Sequence, residues 1–189
     1  RCRAPGRRVT HHQNLVRADV ERSQVPGMWR EARALGLATP NIGLLTDIIA
    51  CPGGDYCALA NAVSISVVAA SLKNFDDLDY LHEIGELDLN ISGCINACGH
   101  HHVGHIGILG VDKNGEEWYQ VTIGGRQGNA AGIGRIIGPS FARDDVPDVV
   151  ERLVRAYLDA RDSDAERFVD VVARLGLAPF KEAVYAHAD

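Results

Sequence analysis

The sequence predicts an α+β protein with a mixed sheet and flanking helices. Three observations carry that prediction. Two alternating apolar and polar runs, 106–111 and 117–123, face each other across Asp112-Lys-Asn-Gly115, and Asn-Gly is a strong hairpin signal. The last third of the chain reads as helices. The predicted order of strand, helix, helix, strand, hairpin and helices lacks the regular alternation of a doubly wound sheet. Apolar residues at 46% and charged residues at 23% of 189 positions are globular values, enough for one domain or one domain plus a fragment.

Residues 9–16 read as a strand with a polar centre at 11–14. Residues 28–35 read as a short helix, entered after Pro26-Gly27 and stopped by Gly36. Thr39-Pro40 marks a boundary, because a residue before proline is pushed out of the helical region. Two units are therefore expected, 1–37 and 38–189. An apolar run over 42–50 leads into Cys51-Pro-Gly-Gly-Asp-Tyr-Cys57, whose Pro and glycines suit a tight loop with exposed backbone N–H groups. Helices are expected over 58–72 and 76–84, the second with acidic residues at its positive end. Residues 87–91 alternate as a strand that ends at a second cysteine pair. A glycine-punctuated strand is expected over 132–141. Helices follow over 146–160, 165–175 and 179–186, with Ser163 and Glu166 at capping-box spacing.

Several function classes lose support. No apolar run approaches the ~18–20 residues needed to cross a bilayer. The basic start lacks the apolar stretch of a signal peptide, so a soluble cytoplasmic protein is expected. No Gly-x-Gly-x-x-Gly opens a helix after a strand, and no P-loop is present. The net charge of −6 is uneven: the first 33 residues carry +5 and the remainder −11. A basic strip without interleaved aromatics or a nucleic-acid module reads as a solvated face or as a partner for an anionic cofactor, so no nucleic-acid partner is expected. The chain begins at Arg1, and its one methionine is Met28, which reads as a fragment or a processed product.

Five cysteines occur, at positions 2, 51, 57, 94 and 98. An odd count without a secretory signal argues against a disulfide framework. Cys2 reads as a spare thiol. The other four form two pairs, with spacers of five and three residues. Structural zinc usually takes two-residue spacers, since the chain must fold back on one small ion. A cubane offers four irons at separate corners, which wider and unequal spacers suit, and Gly53, Gly54, Gly93 and Gly99 can bring N–H groups toward sulfide. Spacing thus favours an iron–sulfur cluster over zinc, and zinc over four inert buried thiols. His100, His101, His102 and His105 follow at once, but adjacent histidines cannot all face one ion, so each reads more readily as a hydrogen-bonding or charge-compensating group.

These motifs resemble a known family. Ala50-Cys-Pro-Gly-Gly-Asp-Tyr-Cys-Ala58 and Ser92-Gly-Cys-Ile-Asn-Ala-Cys-Gly99 resemble the paired cluster motif of sirohaem-dependent sulfite and nitrite reductases. Thr10-His-His-Gln-Asn14 resembles a strand of that family's second ferredoxin-like half-domain. Residues from about 38 onward resemble its sirohaem and [4Fe–4S] domain. The stretch from Cys98 to Gly110 resembles bacterial nitrite/sulfite reductase haemoprotein (beta) subunits, and the likeness extends over essentially the whole chain.

The resemblance implies that Cys51, Cys57, Cys94 and Cys98 ligate the cluster and that Cys98 also bridges to the sirohaem iron. It implies that Asn96 hydrogen-bonds near the cluster or macrocycle and that Gln13 reaches the sirohaem. The histidine run and nearby arginines become candidates to neutralise sirohaem's carboxylates. The implied reaction is six-electron reduction of sulfite to sulfide, with nitrite to ammonia as the alternative. The electron donor would be a ferredoxin or a flavoprotein subunit. The family's substrate-binding arginines and lysines lie mostly in an N-terminal half outside these residues, so no catalytic residue is nominated and a complementary half is an expected partner. Ile95, where many members have Pro or Met, and residues 1–8 depart from the family pattern. The competing readings are a cluster-only electron-transfer module and a zinc-stabilised interaction domain.

Overall fold

The computed structural model describes residues 6–186, so Cys2, Arg1 and Arg3 lie outside the described residues. The chain divides between residues 42 and 43 into two compact units.

In the smaller unit, β1 (Arg7–Val9) pairs antiparallel with β2 (Leu15–Arg17), with Val9 opposite Leu15. The single strand expected over 9–16 is thus a hairpin, and its polar centre is the turn. Thr10 explains why. Its N–H donates to the Asn14 carbonyl (2.9 Å), its carbonyl accepts from Gln13 N–H (3.0 Å), and its Oγ1 accepts from Asn14 N–H (3.1 Å). Gln13 takes a left-handed φ of 61°. Short polar side chains that bond nearby backbone favour turns over ladders. Helix α1 (Val25–Ala34) carries Pro26 in its first turn, where the missing N–H costs nothing. The Arg33 guanidinium lies 5.0 Å from the centre of the Trp29 ring.

The larger unit carries β3 (Ile49–Ala50), α2 (Ile65–Ser71), α3 (Leu78–Ile84), β4 (Leu89–Ser92), β5 (Ile106–Lys113), β6 (Glu116–Ile123), β7 (Arg135–Ile136), α4 (Val146–Ala160), α5 (Phe168–Leu175) and α6 (Ala178–Tyr185). Its sheet runs in the order β3-β4-β5-β6-β7. The β3–β4 and β4–β5 pairs are parallel, and the rest are antiparallel. This is the expected mixed sheet with flanking helices. The β5–β6 turn holds only Asn114 and Gly115, both at positive φ (58° and 86°), as a type I′ turn requires.

The sheet has two unlike faces. Period-two alternation puts Leu89, Ile91, Ile106, Ile108, Tyr119, Val121 and Ile123 on one face, all within the core. Val146, Val149, Val150, Leu153, Val154 and Tyr157 of α4 join that core at helical spacing. Phe168 and Phe180 join from α5 and α6, with ring centroids 5.5 Å apart. The other face presents Asn90, Ser92, Gly107, Gln120 and Thr122. Gly107 lies against residue 101: a Cβ there would come within 2.0 Å of the His101 carbonyl.

Three elements are shorter than expected. Residues 58–64 stay out of α2, because Asn61 and Ala62 give their N–H groups to the Gly93 carbonyl (2.9 and 3.1 Å). The strand over 132–141 contracts to β7 and two isolated bridges, Gly132 with Arg126 and Phe141 with Tyr119. Helix α5 starts at Phe168, and Ser163 caps nothing. Glu166 instead takes Asp162 N–H (2.7 Å) and the Arg174 guanidinium, whose charge-assisted bond holds its carboxyl below the usual range.

Candidate functional site

The two cysteine loops leave the sheet side by side. Ala50 pairs with Ile91 in the parallel β3–β4 ladder, and Cys51 N–H donates to the Ile91 carbonyl at 3.1 Å. The chain leaves β3 into Cys51 and leaves β4 at Ser92 into Cys94. Carboxyl ends of adjacent parallel strands are a common place for ligands.

Backbone then packs on backbone. A Cβ at Gly93 would lie 2.7 Å from Gly53 Cα and 2.6 Å from the Ala62 carbonyl oxygen. A Cβ at Gly53, which has φ +58°, would lie 2.5 Å from both Ser64 N and Ser64 Oγ. A Cβ at Gly99 would lie 2.0 Å from the Ile91 carbonyl. These glycines therefore have a steric reason beyond loop flexibility.

The first loop is tied down by groups from elsewhere in the unit. The Asp55 carboxylate accepts the N–H groups of Ser64 (3.1 Å) and Ile65 (2.9 Å) at the start of α2. Val63 N–H donates to Glu117 (3.0 Å), and the Tyr119 hydroxyl donates to the Val63 carbonyl (2.9 Å). Burial, then the Glu117 carboxylate, raises the Tyr119 pKa, so this hydroxyl stays a donor. The second loop is built from its own backbone. Ala97 and His100 both sit at left-handed φ, 54° and 55°; Ala97 N–H donates to the Cys94 carbonyl (3.1 Å) and His100 N–H to the Ala97 carbonyl (2.8 Å).

The thiols differ in surroundings. Cys51 and Cys94 are buried, Cys57 is half-buried and Cys98 is exposed. Cys51 Sγ accepts Gly93 N–H at 3.1 Å and lies 3.7 Å from Ser64 Oγ. Asn96 is exposed in the second loop. Gln13 lies in the smaller unit, in the β1–β2 turn. Among the described residues, no three His, Cys, Asp or Glu side chains converge as one metal ion requires.

The histidines diverge. His100 and His102 are exposed, while His101 and His105 are buried. Burial, helped by the neighbouring His102, lowers the His101 pKa to about 4, and the two rings stack with centroids 4.0 Å apart. His105 Nδ1 accepts Asp88 N–H (3.1 Å), and burial lowers its pKa against the opposing pull of Asp88 and Glu86. Sequence reasoning missed Ser64, Glu117 and Tyr119, for no spacing rule links them to the cysteines, and it gave Asp55, inside the first motif, no role.

The chemistry of the donor set fits a cluster. Four thiols stand on two adjoining loops, and one already receives a backbone N–H at sulfur, as cluster thiolates commonly do. Comparison with known proteins agrees. The family model for the nitrite and sulphite reductase 4Fe-4S domain matches residues 87–189, more than half of the chain. The chain belongs to this family.

Within the nitrite and sulphite reductase 4Fe-4S family, the chain is 29% identical over 177 residues to a sulfite reductase (ferredoxin) of Mycobacterium tuberculosis, spanning 88% of this chain and 32% of that protein. It is 26% identical over 152 residues to a ferredoxin–nitrite reductase of Synechococcus elongatus, spanning 78% of this chain and 29% of that protein. The chain thus spans about a third of the length of these curated relatives. The structure of the Mycobacterium tuberculosis NirA protein superposes with a TM-score of 0.78 at 27% identity, covering 92% of this chain and 33% of that one. A dissimilatory sulfite reductase I shares the fold alone, at TM-score 0.72 and 13% identity. Among the described residues no helix is long and apolar enough to cross a membrane.

Proposed function

We propose that this chain is the cofactor-holding part of a cytoplasmic sirohaem and [4Fe–4S] reductase that converts sulfite to sulfide. The observation that carries the reading is the paired exit of two cysteine loops from β3 and β4, with Gly93 packed on Gly53, in a chain of the 4Fe-4S family. Cys51, Cys57, Cys94 and Cys98 are the assigned cluster ligands. Cys98 would also hold the sirohaem iron, a role supported by its exposure. Asn96 donates beside the cluster or macrocycle, and Gln13 contributes from residues 1–37, read as the end of a ferredoxin-like half-domain; residues 38–189 form the sirohaem and cluster domain. When bound, the two groups supply the one-electron steps that no side chain performs.

This chain's own residues hold and screen that chemistry. Gly93 N–H and the Ser64 hydroxyl face the Cys51 sulfur. His100 and His102, with nearby arginines, are the candidates to neutralise sirohaem carboxylates, a role their exposure supports. Substrate-binding cations come from a complementary half of the enzyme, and a ferredoxin donor is supported by the relatives' names, with a flavoprotein subunit as the alternative. Nitrite to ammonia is the alternative reading, and the sulfite reductases among the relatives set it second.

The test is an anaerobic absorption spectrum with iron and acid-labile sulfide analysis, on protein made with sirohaem available. Sirohaem bands with about four irons and four sulfides per cluster support the reading. A cluster without haem bands supports an electron-transfer module instead. Zinc without iron overturns both.

A further inference from the structure

We propose that Ser64 is a positioning residue for the cluster: its hydroxyl donates to the Cys51 sulfur and raises the cluster's reduction potential. The inference rests on the cysteine assignment above and extends it to a side chain outside both cysteine motifs.

The packing argument comes first. Ser64 is completely buried, with its Oγ 3.7 Å from Cys51 Sγ. The room for that hydroxyl is cleared from both loops. A Cβ at Gly53 would stand 2.5 Å from Ser64 Oγ, and a Cβ at Gly93 would stand 3.2 Å from it. Its backbone is held too: Ser64 N–H donates to Asp55, and the preceding Val63 is gripped by Glu117 and Tyr119. Ser66 and Ser71 of α2 bury hydroxyls with no partner among the described residues, whereas the Ser64 hydroxyl has the Cys51 sulfur beside it.

Chemistry fixes the direction of the bond. A metal-bound thiolate has no proton to give, so the hydroxyl must donate. Gly93 N–H is already a donor to the same sulfur at 3.1 Å. Reduction adds negative charge to the cluster and its thiolates, and each donor at sulfur favours the reduced state. Among the described residues, Cys51 is the cysteine with both a backbone and a hydroxyl group at its sulfur.

The experiment compares Ser64→Ala with the parent, each as intact cofactor-loaded protein, by iron and sulfide content, EPR-monitored redox titration and proton ENDOR of the reduced cluster after exchange into D2O. The expected result is an unchanged iron and sulfide content with a potential about 59 mV more negative, a tenfold fall in the reduced-to-oxidised ratio at fixed potential. One exchangeable proton coupling should vanish. A fully loaded variant with the parent's potential and couplings overturns the proposal. If Ser64→Ala does not fold, the parent decides: exchangeable couplings from two donors support it, and from one donor overturn it. A parent that binds no iron and sulfide instead defeats the cysteine assignment on which the proposal rests.

Discussion

The two cysteine loops solve the same problem by different means. The first, from Cys51 to Cys57, adds outside ties to its own Tyr56 and Cys57 N–H bonds to the Gly53 carbonyl: its Asp55 holds the start of α2, and the β5–β6 hairpin holds the nearby Val63. The second, from Cys94 to Cys98, is fixed mostly by neighbouring backbone, through left-handed Ala97 and His100 and through Gly99 pressed on Ile91 of the preceding strand. The first loop presents a buried leading thiol, and the second ends in an exposed one. A loop braced by distant groups tolerates change at its tip, whereas a self-braced loop concentrates its constraints in a few consecutive residues.

The largest expected effects fall on the second loop. Gly99→Ala drives a Cβ to 2.0 Å from a backbone carbonyl of β4, so β4 or the loop must move. Overpacking of this kind costs about 1–3 kcal/mol or more, and urea denaturation should read a loss at or above that range, together with loss of iron. Gly93→Ala should follow closely, since both atoms it meets first are backbone. Equal stability of either variant to the parent would break the claim that the loops pack backbone to backbone.

Thiol substitutions sharpen the contrast. Cys98→Ser is expected to diminish both the cluster and the sirohaem absorption, and Cys51→Ser mainly the cluster. Full sirohaem–cluster coupling in Cys98→Ser would defeat the bridging assignment. Smaller still is Asp55→Ala, which removes the acceptor of two N–H groups at the start of α2. A cost of about 1 kcal/mol is expected in denaturation, as for other lost helix caps, with the second loop unaffected.

Acid should find the buried histidine. The His101 pKa falls from 6.5 to about 4 in the folded chain, so below pH 6.5 the unfolded state binds the extra proton first. That contribution to stability is fully present above pH 6.5 and is lost as pH falls toward 4. A series of denaturation curves across this window should slope downward toward acid in the parent and slope less in His101→Gln.

The apolar half of the architecture was plain in the sequence because its signals are periodic. The hairpin announced itself through Asn114-Gly115, and α4 through its apolar spacing. The cysteine ligand candidates were equally visible, as two pairs in glycine-rich runs. What escaped is what lacks a local period. The 9–16 segment reads as one strand with a polar centre, yet Thr10 bonds Asn14 and turns it into a hairpin. Residues 58–64 have helical composition, but Asn61 and Ala62 give their N–H groups to Gly93, a long-range contact no window contains. Ser64 was invisible as a site residue for the same reason, and Asp55, plain within the first cysteine motif, had no role until its partners at the start of α2 were placed.

The β5–β6 hairpin has a consequence in time. Its two-residue turn makes it a local structure, of the sort that closes within about 1–10 μs. Pairing of β3 with β4 joins residues far apart in sequence and is slower. Glu117 and Tyr119, which receive Val63, therefore stand on an element that forms early. The expected order of assembly therefore runs from the locally closed brace to the long-range pairing that sets the first loop beside β4.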